Sequence, residues 1–129
     1  QAFGMSPSEL IESAGAQAAI QVVRAADRGQ VFRSDQHCQI RTLTPLNLEK
    51  DVELYEVVLK PKGELRSAAH YEGTREFLSV SRGKVRVHSG EDIVEIGPGD
   101  SATYRADLAH AILNMGEGEA VLFLVDIYR

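Results

Sequence analysis

The sequence holds one cysteine, Cys38, and no tryptophan. A single thiol excludes an intrachain disulfide framework, so the fold must rest on its core, and a reducing cytoplasm is the expected compartment. No apolar run reaches the roughly 18 residues that a membrane-spanning helix needs. No basic segment leading into an apolar stretch opens the chain, so no secretory signal is expected either. Basic charge is also short: 14 lysines and arginines against 19 aspartates and glutamates give a net charge of −5. The basic residues are scattered, and without a basic patch this polypeptide is not expected to bind nucleic acid by itself. Methionine is missing from position 1, where Gln1 stands, which suggests a piece of a longer chain.

What is present fits one soluble domain. The 129 residues are 43% hydrophobic and 26% charged, enough for a core without covalent staples. The start carries helix punctuation. Ser6 is placed as an N-cap, Pro7 at the first helical position and Glu9 as the partner in a capping box. Met5 and Leu10 stand at the spacing of a hydrophobic staple, and Gly15 is a fitting C-cap. The spacing predicts a helix over 7–14, about two turns long and too short to be stable undocked.

From Ala18 onward the hydrophobic period becomes two. Strands are expected at Ile20–Arg24, Gln30–Arg33, Gln39–Thr44, Glu53–Lys60, Arg75–Ser81, Lys84–Ser89, Asp92–Ile96, Ser101–Arg105, His110–Met115 and Ala120–Tyr128. Glycine and proline turns separate them, among them Pro61-Lys62-Gly63, Arg82-Gly83 and Gly97-Pro98-Gly99-Asp100. Many short strands and no long amphipathic helix point to an all-β barrel or jelly roll. Gln39–Thr44 and Ala120–Tyr128 read as exposed edges through which two copies could pair, so a homodimer is expected. His88 and His37 read as surface histidines, and Arg75 as half of a surface salt link.

The chemistry-bearing residues cluster between Gly63 and Asn114. On a strand, His70 and Glu72 would share a face. Glu76 shares one with Leu78 and Val80, and His110 with Ile112 and Asn114. Two imidazoles with a carboxylate on one inner wall suit a divalent transition metal. The same residues could instead hydrogen-bond an organic ligand, or form a satisfied buried polar cluster. Two carboxylates buried together without a cation are costly, which weighs against the last reading. Arg66 could clamp a ligand carboxylate. Tyr104 and Phe77 could line the interior, and Tyr104 and Asn114 are carried forward as ligand contacts.

Two motifs in this stretch resemble those of the cupin family. Gly63-x6-His70-x-Glu72-x3-Glu76-x6-Gly83 is similar to the first cupin motif, and Gly99-x10-His110-x3-Asn114 to the second. The resemblance covers Leu54 to Val125. It implies a cupin jelly-roll β-barrel with a short N-terminal helix, and metal-ligand positions at His70, Glu76 and His110. The second histidine of the first motif is Glu72 here, a fourth ligand or ligand-facing acid. Arg105 stands where proline is common in the second motif. The implied metal is zinc, iron, manganese or nickel.

A narrower likeness is to bacterial regulators that join a phage-repressor-type helix-turn-helix to a cupin sensor. It is carried by Ala2–Ile11, by Ile20–Ala25, and by Gly73-Thr74-Arg75-Glu76-Phe77-Leu78 with Gly97-Pro98-Gly99-Asp100-Ser101. It implies that residues 1–17 are a short helix and linker left from an N-terminal helix-turn-helix domain and that 18–129 are the sensor. A small-molecule effector would then bind the barrel, and DNA only the missing N-terminal domain, with no membrane partner. The alternative is a stand-alone metal-dependent enzyme, a dioxygenase or isomerase acting on a small acid.

Overall fold

A computed structural model describes residues 19–45 and 51–128. The helix expected over 7–14, and the segment 1–17 as a unit, lie outside those residues. A 3-10 turn (Arg28–Gln30) leads into ten strands. They are β1 (Val31–Ser34), β2 (Cys38–Thr42), β3 (Val52–Leu59), β4 (Glu64–Ser67), β5 (Arg75–Arg82), β6 (Val85–Ser89), β7 (Asp92–Ile96), β8 (Ser101–Arg105), β9 (His110–Asn114) and β10 (Ala120–Ile127). All pairings are antiparallel. One sheet runs β1-β2-β3-β10-β5-β8 and the other β4-β9-β6-β7. β3 to β10 form an eight-strand jelly roll, and β1 and β2 extend its larger sheet. Among the described residues no ladder joins the two sheets, so the barrel is not closed.

Alternation sets what each strand buries. In β10, Ala120, Leu122, Leu124 and Asp126 point inward while the residues between them are half-exposed. They meet Val57 and Leu59 of β3, Leu78 and Val80 of β5, Cys38 and Ile40 of β2, and, from the smaller sheet, Val85, Val87 and Ile112. Each large aliphatic side chain so buried contributes about 1.5–3 kcal/mol.

Four expectations change. Ile20–Arg24 forms no strand, and Ile20 and Val22 stay 79% and 57% exposed. β4, with only Leu65 to bury, gave no periodic signal and is a strand all the same. The supposed dimer edges are interior: β2 lies between β1 and β3, and β10 between β3 and β5. Among the described residues the edge strands are β1 and β8 in one sheet and β4 and β7 in the other. Phe77 sits opposite Thr103 and Val125 on the outer face, where the Arg75 guanidinium lies 5.7 Å from its ring.

Candidate metal centre

The register of the larger sheet builds the site. Glu53 of β3 lies opposite Asp126 of β10, Asp126 opposite Glu76 of β5, and Glu76 opposite Tyr104 of β8. One cross-strand row on the inner face is therefore polar, and the next row in, with Tyr55, Leu124, Leu78 and Ala102, is not. The polar row closes one end of the core.

His70 and His110 reach Glu76 from elsewhere. His110 opens β9 and is 5% exposed. His70 sits in the loop after β4, held there by its backbone N–H donating to the Ala106 carbonyl at 2.8 Å. The two imidazole rings lie 5.1 Å apart. One ligand atom each from His70, Glu76 and His110 fall within 4.8 Å of one another. His110 Nδ1 bonds the Leu108 carbonyl at 2.7 Å. That bond fixes the ring so that Nε2 faces the site, 3.9 Å from Glu76 Oε1, buried and without a hydrogen-bond partner. A metal-ligating histidine is commonly oriented by such a bond at its other nitrogen. The orphaned Nε2 and the two-histidine, one-carboxylate donor set fit a divalent transition metal.

Tyr104 donates to Glu76 Oε1, and burial, reinforced by the Glu76 charge, holds its hydroxyl far above the usual phenol range. Tyr104 is thus a support for Glu76. Asp126, absent from the expected set, is the residue the sequence concealed. It is 5% exposed, and burial, reinforced by the facing Glu76 carboxyl, raises its pKa from 3.8 to about 8. Its place on the inward face beside Leu122 and Leu124 was the available signal.

The remaining assignments move. Glu72 is exposed on a turn in which Thr74 N–H donates to the Tyr71 carbonyl at 3.0 Å. Strand alternation does not run through 70–72, so Glu72 and His70 do not share a face, and the cluster forms without Glu72. Asn114, expected as a ligand contact, is committed to the backbone. Its amide donates to the carbonyls of Leu59, Lys60 and Gly118, and its Oδ1 accepts from Gly116 N–H. Those bonds use its hydrogen-bonding groups on the backbone of two turns. Asn114→Ala should cost about 2–4 kcal/mol, the loss of buried bonds with orphaned carbonyls, read from urea denaturation. Arg66 is paired with Glu64 at 3.0 Å and lies on the rim. His88, expected on the surface, is half-buried, with an Nε2 that is covered and unpartnered.

A cavity of about 510 Å³ opens beside the cluster, lined by Phe32, Ile40, Tyr55, Leu65, His70, Glu76, Leu124, Asp126 and Tyr128, with Arg33, Arg66 and Ser67. Its size suits a small organic molecule.

The raised pKa of Asp126 predicts a pH dependence for the chelator-treated protein. The unfolded chain releases this proton near 3.8, the folded chain near 8. Between those values the folded state carries a proton that the unfolded state lacks, so stability falls as pH rises through the window. The lowered carboxyls of Asp35, Glu95 and Asp107 have unfolded values of 3.8 to 4.5 and act below about pH 5. Urea midpoints at pH 5 and pH 8 should differ in wild type, and the difference should shrink in Asp126→Asn.

A family model described as the cupin domain matches residues 55–128. No curated protein sequence matches the chain. Among solved structures, an HTH_3-family transcriptional regulator from Vibrio cholerae aligns with a TM-score of 0.66 and 25% identity, over 72% of this chain and 52% of its own. The cupin domain of an XRE-family transcriptional regulator from Enterobacter cloacae aligns at 0.67 and 18% identity, over 73% of this chain and 99% of its own. A sugar phosphate isomerase of the cupin superfamily from Silicibacter pomeroyi aligns at 0.59 and 21% identity, over 72% and 60%. The chain thus spans about half the length of the Vibrio cholerae regulator. No helix among the described residues is long and apolar enough to cross a membrane. With the jelly-roll topology in place and the family match running from within β3 to just past β10, the chain belongs to the cupin domain family.

Proposed function

We propose that this cupin domain is the effector-sensing part of a helix-turn-helix transcription regulator, with DNA contacted by an N-terminal domain upstream of Gln1. The observation that carries the reading is the likeness to cupin domains of two such regulators, one of which is about twice as long as the matched part. The cavity beside His70, Glu76 and His110 supplies a place for the effector. A divalent cation held by those three residues would leave open positions for a ligand oxygen or nitrogen. Apolar walls from Ile40, Leu65 and Leu124 would take the rest of the molecule.

Sensing is linkage between two sites. An effector changes DNA affinity only by as much as it prefers one arrangement of the protein over another, and a coupling of about 1–3 kcal/mol suffices for a switch. In a homodimer the edge strands among the described residues, β1, β8, β4 and β7, are those open to pairing. The test is operator binding by the full-length regulator, with and without a ligand that occupies the cavity. A shift of about 5–150-fold in operator affinity is expected; an unchanged affinity with the cavity filled would sink the reading.

The enzyme reading draws on Asp126, a buried carboxyl that faces Glu76 across the β10–β5 register and whose pKa burial raises in the metal-free chain. Such a group can act as a general acid. Turnover of sugar phosphates or small acids that is lost in Asp126→Asn would favour it.

A further inference from the structure

The cavity has two chemically different ends. One is the His70–Glu76–His110 cluster. The other is aromatic and backed by negative charge. Phe32 and Tyr55 stand with ring centroids 5.5 Å apart and planes inclined by 51°, two walls of a corner. Tyr128 lines the same cavity and meets the His70 ring edge-on at 6.4 Å, so it stands between the two ends. Glu53 Oε1 accepts hydrogen bonds from both tyrosine hydroxyls, at 2.5 Å from Tyr55 and 2.8 Å from Tyr128. Those bonds hold both rings in place, and donation to a carboxylate enriches the electron density of each ring.

Ring faces attract cations through their quadrupole, most strongly where water is excluded. The charges around this corner agree. Glu53 and Glu76 stand along one wall, in the same cross-strand row. The two arginines that line the cavity are already held by acids, Arg33 by Asp35 at 2.7 Å and Arg66 by Glu64 at 3.0 Å. Phe32 is 57% exposed, an apolar ring left open to solvent at the cavity.

We propose that the corner formed by Phe32, Tyr55 and Tyr128 binds an alkylated ammonium group, and that the ligand is a small zwitterion bearing that group. Its anionic oxygen faces the other end, where a cation between two imidazoles is the complementary partner. The proposal rests on the reading of this cavity as a ligand site, and it names the ligand's class.

Two isosteric probes separate cation recognition from simple apolar burial. Trimethylglycine and 3,3-dimethylbutanoate share shape and carboxylate and differ only in a quaternary nitrogen against a quaternary carbon. Burial alone favours the carbon compound, which is the more hydrophobic. Calorimetric titration of the purified chain should show trimethylglycine binding at least about tenfold more tightly. Phe32→Leu, at an exposed position that does not threaten folding, should narrow that gap, and Tyr55→Leu should remove it. Equal affinities, a preference for 3,3-dimethylbutanoate, or no binding of either probe overturns the ammonium assignment. The first two of those results leave the cavity standing as a ligand site, and the operator experiment tests that reading separately.

Discussion

Gly63→Ala should leave little folded protein, an expected loss above about 4 kcal/mol. A Cβ at position 63 would sit 2.1 Å from the His37 carbonyl oxygen and 2.8 Å from that of Lys60. Both obstacles are backbone, and both are tied down. Lys60 N–H donates to the His37 carbonyl at 2.9 Å, and Gly63 N–H to the Lys60 carbonyl at 2.7 Å. Moving either oxygen means breaking the junction between β2, β3 and β4. Asn114 belongs to the same junction, since its N–H donates to the Gly63 carbonyl at 3.0 Å. A control separates this clash from the general effect of adding a methyl group. Gly118 has nothing within 4 Å of its would-be Cβ, so Gly118→Ala should lie within about 0.5 kcal/mol of wild type. Urea denaturation of the two variants side by side is the check, and a Gly63→Ala protein as stable as Gly118→Ala would refute the argument.

His110→Ala should reduce affinity for manganese, nickel or zinc by more than about 100-fold, beyond the 10–100-fold typical of a lost outer-shell partner. The imidazole is aimed by its Leu108 bond, and its Nε2 is the buried orphan of the cluster. Glu72→Ala should change metal affinity by less than about threefold, because Glu72 is exposed and outside the cluster. Metal content after dialysis, measured on wild type and both variants, decides the matter. If Glu72→Ala loses metal and His110→Ala keeps it, the geometry described for the centre is wrong.

Much of the fold was legible because its signals are local. Inward residues two apart in β3, β5 and β10, with turns at Gly63, Gly83 and Gly99, announce strands without knowledge of their partners. Pairing is not local, and the errors follow from that. Ile20–Arg24 has the right residues yet joins neither described sheet, whereas β4 has poor residues and β9 beside it. β propensity is expressed through cross-strand packing, so a partner outweighs composition.

The site divides in the same way. His70, Glu76 and His110 stand within recognisable spacings, and the structure brings them together. Asp126 could not be seen as a neighbour of Glu76, because 50 positions separate the two and only the β10–β5 register joins them. Glu72 misled because alternation was extended across a turn. Asn114 misled because one amide can face the interior and still spend its bonding groups on backbone carbonyls.

The position of β10 bears on how the protein is made. It is the last of the ten strands among the described residues and lies between β3 and β5. On a ribosome, the nine preceding strands of the jelly roll and its extension can emerge while the two halves of the larger sheet still lack the strand that joins them. Until Ala120–Ile127 arrives, β3 and β5 each present an unpaired edge, and Glu76 lacks the carboxyl that faces it. Assembly of the sheet and completion of the acidic row are therefore one event, set by the emergence of β10.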